Sequence, residues 1–215
     1  MNCSLGSSGR STPWSQPPPD GTPSPDDVSL GGGVNREAIV IVGGGPAGLA
    51  TAACLTKRGV DSLILDADDE VGASWAKRYE RLHLHTPRLQ SQLPGMRIPR
   101  HMGRWVSKDE YASYLQAYAA HHRLRIQHGT RVTRVDKRLD GSHVLETQTG
   151  PIEAGVVVLA TGYNQAPRIP DWAGLDRYTG GFMHASEYRT GADHRGLDVL
   201  VVGSGNTGAE ICADL

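Results

Sequence analysis

The feature that most constrains this chain is a glycine run set between an apolar strand and a helix. Ala38-Ile39-Val40-Ile41-Val42 is a continuous apolar segment, as expected of a strand covered on both faces. Gly43-Gly44-Gly45-Pro46-Ala47-Gly48 follows, a GxGxxG motif, and then a stretch to Gly59 that reads as a helix with Pro at its start and Gly at its end. Ser62–Leu65 is a second buried strand, so the segment opens as βαβ. In that context each glycine has a task. Gly43 permits the tight turn, Gly45 lets a pyrophosphate approach the backbone, and Gly48 lets the helix pack on the strand. The helix start, with Pro46 and Ala47, offers N–H groups and partial positive charge to phosphate. Asp66 ends the second strand 23 residues after Gly43, near the spacing at which a carboxylate accepts the ribose hydroxyls. The run Ala38–Leu55 carries no charge over 18 positions, but the glycines and proline in its middle argue against a membrane span.

The motif recurs. Leu197–Val202 is an apolar strand candidate, followed by Gly203-Ser204-Gly205-Asn206-Thr207-Gly208, which again leads into a helix. Two dinucleotide motifs in one chain point to electron transfer between two cofactors, usually FAD and a nicotinamide. Between them, Ser107 and Glu110 form a capping box for a helix over 107–122. Its apolar stripe is Tyr111, Tyr114, Leu115, Tyr118 and Ala119. Residues 123–127, 130–138 and 142–149 read as a short meander, with Asp140-Gly141 as a hairpin turn. Val156–Ala160 is a further buried strand that runs into Ala160-Thr161-Gly162.

Composition bounds the rest. The chain has 215 residues and 27 glycines, nearly twice the usual ~7%. A net charge of −1 gives no electrostatic case for nucleic acid or an anionic membrane. Cys3, Cys54 and Cys212 are odd in number and far apart, so neither a disulfide framework nor a CxxC redox pair is expected, and a cytoplasmic setting fits. Cys54 and Cys212 fall in expected helices and read as packing residues. No HxxxH or HExxH spacing supports a metal site. His121 and His122 suit a helix C-terminus. In residues 1–35, Gly, Pro and Ser fill 19 positions, a composition that predicts a disordered and dispensable tail.

The order of these motifs resembles the class B flavin monooxygenases, which include flavin-containing monooxygenases, Baeyer–Villiger monooxygenases and the plant YUCCA-type enzymes. The resemblance rests on GxGxxG, an acidic strand end, Gly72-x-x-Trp75, Ala160-Thr161-Gly162, the fingerprint Tyr178 to Tyr188 around His184, and the second GxGxxG. It covers residues 37–215. It implies a Rossmann-like FAD-binding domain over 36–165, an α/β fold of parallel sheet plus β-meander. The truncated start of a second Rossmann-like NAD(P)-binding domain would follow over 166–215. It implies that the first motif binds FAD and the second NADPH, with Ser74 and Trp75 also against FAD and His85 and Thr86 near the isoalloxazine. A His stands where flavin-containing monooxygenases have Asn. Tyr188-Arg189 stands where Baeyer–Villiger enzymes have Trp-Pro, which favours heteroatom oxidation. Arg81-Leu82-His83-Leu84-His85-Thr86-Pro87 is similar to the YUCCA-type segment, which points to a keto acid. The implied function is NADPH- and O2-dependent oxygenation of a small organic substrate through a C4a-hydroperoxyflavin. Two alternatives stand beside it: a non-catalytic remnant that at most binds FAD, and another flavin oxidoreductase with two dinucleotide sites. With 12 residues after Gly203, too few for a βαβ unit, the chain is expected to be the N-terminal part of such an enzyme, with little activity alone.

Overall fold

The central strand β1 (Asn35–Val42) is paired on both sides, parallel to β2 (Leu63–Leu65) and parallel to β6 (Ile152–Leu159), in a computed structural model that describes residues 35–163 and 166–215. Its apolar run is continuous because both faces are covered. Ile41 lies under α1 (Pro46–Thr56) and α4 (Lys108–His121), against Leu49, Tyr114, Leu115 and Tyr118. Val40 and Val42 face the opposite layer, with Leu63, Leu65, Leu145, Ile152 and Ala154. The six strands run in the order β3-β2-β1-β6-β5-β4, where β3 is Arg125–Gln127, β4 is Val132–Lys137 and β5 is His143–Thr147. Two short helices, α2 (Ala73–Ala76) and α3 (Arg88–Ser91), lie between β2 and α4, and α5 (Asn206–Asp214) closes the described chain. Among the described residues no helix is long and apolar enough to cross a membrane.

α4 begins as its sequence requires. The Ser107 hydroxyl accepts from the Glu110 N–H at 3.3 Å, and the Glu110 carboxylate accepts from the Ser107 N–H at 3.0 Å. The stripe Tyr111, Tyr114, Leu115, Tyr118 and Ala119 is buried. The Tyr114 and Tyr118 hydroxyls donate to the carbonyls of Met96 and Pro94, so the buried phenols also pin the loop over 93–96.

Two elements differ from the sequence reading. Residues 125–127 are not the first limb of the meander. They pair parallel to β2, with Leu63 opposite Arg125, and form the outer strand of the parallel part. The meander is instead β4-β5-β6, antiparallel throughout, with its first turn at Asp140-Gly141 as expected. A strand of three residues is too short to show a period, and the crossover through α4 decides its direction. Leu197–Val202 forms no strand: no described segment pairs with it, and Leu200 and Val202 are 86% and 66% exposed. Cys54 is half-buried as a packing residue would be, but Cys212 is exposed. Of the expected tail, residues 1–34 lie outside the described residues, as do Asn164 and Gln165 at the expected domain boundary.

Candidate functional site

β1, β2 and β6 run parallel and end side by side at Val42, Leu65 and Leu159. Ligands bind at the carboxyl ends of such sheets, because there the turns leave backbone groups free. The first glycine turn occupies this edge. Gly43 has φ +111°, and a Cβ on it would meet the Ala160 carbonyl oxygen at 2.5 Å. A Cβ on Gly48 would meet the Gly43 carbonyl oxygen at 1.9 Å, so α1 presses directly on the turn. A Cβ on Gly44 would meet Asp66 Oδ2 at 2.2 Å, a constraint the motif alone did not reveal, although the run of three glycines carried its signal. Gly45 differs: nothing lies within 4 Å of its Cβ position. No side chain caps α1, and Pro46 occupies its first turn. One face of the turn is therefore packed and the other is open.

Asp66 is fixed by its backbone. Its N–H donates to the Gln127 carbonyl at 3.0 Å and its carbonyl accepts from the Thr130 N–H at 2.7 Å. Burial pushes its carboxyl above the ordinary Asp value, and the neighbouring Asp68 carboxylate pushes the same way. The N–H groups of Asp68 and Gly44 pull back.

A cavity of about 1130 Å³ opens over this edge. That is just above the range of roughly 300–1,000 Å³ typical of small-molecule sites. It is lined by Gly43, Gly45, Pro46, Ala47, Asp66, Ser74, Trp75, His85, Asn206 and Thr207, together with Gly44, Arg78, Arg131 and Thr161. The Trp75 ring is held edge-on against Tyr111, with centroids 4.9 Å apart. Thr86 is not among the lining residues; its hydroxyl pairs with Ser91 Oγ at 2.7 Å.

The second glycine motif repeats the geometry of the first. Gly203 has φ +130°, Gly205 has open space at its Cβ position, and a Cβ on Gly208 would meet the Gly203 carbonyl oxygen at 2.3 Å. Gly45 and Gly205 share φ −77°, and each accepts the first bond of its helix at 3.0 Å, from Leu49 and Ala209. Gly203, Ser204, Gly205 and Gly208 lie outside the cavity lining, which the motif enters through Asn206 and Thr207.

α5 is docked by the fingerprint segment. The Tyr188 hydroxyl donates to Asp214 Oδ2 at 2.6 Å, as does the Gly191 N–H at 2.9 Å. These bonds hold the Asp214 carboxyl below its ordinary pKa. Ile211 packs with Tyr79, Leu82 and Tyr188. His184 makes a local turn instead, its Nδ1 accepting from the Ser186 N–H at 3.1 Å. Glu210 was not singled out by the motif. It lies four residues after Asn206, on the same helix face, and pairs with His85 at 2.8 Å.

The sequence profile of the pyridine nucleotide-disulphide oxidoreductase family matches residues 40–215. The chain is 40% identical over 186 residues to the indole-3-pyruvate monooxygenase YUCCA1 of Oryza sativa subsp. japonica, and 38% identical over 184 residues to YUCCA6 of Arabidopsis thaliana. Each match covers 82% of this chain and 44% of the relative. The chain thus spans less than half the length of these relatives. Among solved structures it is similar to the flavin-containing monooxygenase from Stenotrophomonas maltophilia, with TM-score 0.78 and 31% identity, over 84% of this chain and 55% of that one. The S-allyl-L-cysteine S-oxygenase from Allium sativum shares the fold, with TM-score 0.75 at 21% identity over 83% of this chain and 48% of that one.

Proposed function

The chain belongs to the pyridine nucleotide-disulphide oxidoreductase family, in its class B flavin monooxygenase branch, and on that premise we propose that it forms the FAD-binding framework of an NADPH- and O2-dependent monooxygenase acting on a small organic substrate. The observation that carries this reading is the meeting of an open-faced glycine turn and a partly desolvated Asp66 in one large cavity at the carboxyl edge of a parallel sheet. A dinucleotide fits that donor set. Gly45 leaves room for a pyrophosphate against the uncapped start of α1, and Asp66 accepts from ribose hydroxyls. Ser74 and Trp75 line the same cavity. Bound FAD would supply the redox centre through which NADPH electrons reach O2.

We assign residues 36–165 to FAD and 166–215 to the start of the nicotinamide site. There Gly203, Ser204, Gly205, Asn206, Thr207 and Gly208 would receive the NADPH pyrophosphate, as their repeated geometry supports. Of the pair His85 and Thr86, the cavity lining favours His85 as the residue beside the reacting atoms, where a fixed imidazole orients protons and excludes water. Relatives named as indole-3-pyruvate monooxygenases favour a keto acid over a nitrogen or sulfur nucleophile. Among the described residues a dithiol mechanism lacks support: Cys54 and Cys212 are free thiols in separate helices. The sparse cysteines fit a cytoplasmic setting.

A second reading is favoured by the exposed Leu197–Val202 segment: a chain that holds FAD without turning over. Both readings require FAD. The purified chain, reconstituted and desalted, is denatured and the released chromophore identified by chromatography. FAD in near-stoichiometric amount supports the proposal. Absence of flavin, or retention of FMN alone, overturns it, because FMN lacks the adenosine ribose that Asp66 is proposed to hold.

A further inference from the structure

His85 follows a segment whose backbone is clamped at His83, which bridges to Ser107. Its neighbour Leu84 donates from its N–H to the Val106 carbonyl at 2.8 Å, and the Leu82 carbonyl accepts from the Lys108 N–H at 3.0 Å. Leu82 and Leu84 are buried, so alternation sends His83 and His85 to the open side. The backbone thus sets where His85 is but not how its ring is turned. That is decided from α5. His85 Nε2 lies 2.8 Å from Glu210 Oε1, and His85 Nδ1 lies 2.9 Å from the Asn206 amide nitrogen. The other Glu210 oxygen accepts from the Tyr79 hydroxyl. Tyr79 is buried, and burial followed by the Glu210 contact pushes its pKa up, so it remains the donor. Both carboxylate oxygens are then acceptors, and His85 Nε2 must carry a proton. The Asn206 NH2 can only donate, so Nδ1 must be the bare nitrogen.

We propose that Asn206 and Glu210 are positioning residues that hold His85 as the neutral Nε2–H tautomer. The helix of the second glycine motif thereby sets the protonation form of a side chain in the cavity of the first. Asn206 and Glu210 are one helical turn apart, so a single rigid face of α5 presents a donor to one ring nitrogen and an acceptor to the other. The relevance of this device to chemistry rests on the proposed FAD site; the state of the ring does not.

The test uses the full 215-residue chain with 15N-labelled histidine and no flavin, read by two-bond 1H–15N correlation, with His85→Gln identifying the signal. The expected His85 pattern is a protonated Nε2 and an unprotonated Nδ1. Glu210→Ala should shift it to the averaged pattern of mixed tautomers, and Glu210→Gln, whose side-chain carbonyl still accepts, should restore it. Asn206→Asp, a change that a helix N-terminus favours, replaces the donor by an acceptor and should move a proton onto Nδ1. A parent chain showing an averaged or doubly protonated ring overturns the proposal. So does a pattern unchanged in both Glu210→Ala and Asn206→Asp. Failure of FAD to bind would leave this spectrum intact, so the two claims fail separately.

Discussion

Gly45 and Gly48 stand three residues apart in one turn and answer to different demands. A methyl group on Gly48 would sit 1.9 Å from the Gly43 carbonyl oxygen, backbone that cannot yield without moving α1 off β1. Gly48→Ala should therefore destabilise the flavin-free chain by about 1–3 kcal/mol, the range for overpacking, measured by urea unfolding. An unchanged midpoint would show that the turn is not packed as described. Asp66 carries the opposite signature. Its pKa is raised in the folded chain, so the stability it contributes is full below the unfolded Asp value and is lost as pH rises through the folded value. At neutral pH its ionised form is a cost to the empty protein. Asp66→Asn should raise the melting temperature of the flavin-free chain at pH 7 and leave it little changed below the unfolded Asp value. The same substitution should weaken FAD binding about tenfold to a hundredfold, from charge-assisted bonds worth about 1.5–3 kcal/mol. A side chain that destabilises the empty fold and strengthens the complex is behaving as a ligand-binding group. Loss of stability together with unchanged FAD affinity would mark Asp66 as structural.

The elements legible from sequence were those with a periodic or capped signal. β1 read correctly because an apolar run covered on both faces leaves no other reading, and α4 because Ser107 and Glu110 mark its start and the tyrosine stripe marks its face. The capping box itself is testable: Ser107→Ala should lower stability by about 1 kcal/mol in denaturant unfolding, with FAD affinity unaltered. A loss of flavin affinity there would mean that α4 does more than support the sheet. β3 is not legible in the sequence because three residues carry no period and their partners on β2 lie 62 positions away. Leu197–Val202 had the composition of a buried strand, yet composition cannot supply a neighbour to pair with. The candidate site shows the same division. Gly43, Gly45, Gly48 and Asp66 were visible because they are close in sequence and have defined tasks. The tie from Glu210 to His85 spans 125 positions and depends on how α5 docks through Tyr188, Asp214 and Ile211, which no local pattern encodes.

For the whole molecule, the imbalance between the two glycine turns is the informative property. The first has a complete surround: β1, β2 and β6 beneath it, α1 behind it and Asp66 at the end of β2. The second has its turn and helix but, among the described residues, no paired strand, and the apolar side chains of Leu197, Leu200 and Val202 are exposed. Binding energy distant from the reacting carbon positions a hydride donor, and this surround supplies little of it. NADPH added anaerobically to the FAD-loaded 215-residue chain should bleach the flavin well below about 1 s⁻¹, the low end for ordinary enzymes. Faster bleaching would show the second site to be sufficient as it stands. FAD binding at the first site is read by an equilibrium titration of the flavin-free chain with FAD, run beside Gly45→Ala. Nothing lies within 4 Å of the Cβ position of Gly45 and its φ is −77°, so the substitution leaves the empty fold undisturbed and places a methyl group only where the pyrophosphate would lie. The account predicts saturable FAD binding by the parent chain, and for Gly45→Ala an unchanged melting temperature with affinity reduced at least about tenfold, or 1.4 kcal/mol. Equal FAD affinity in the two proteins would contradict it.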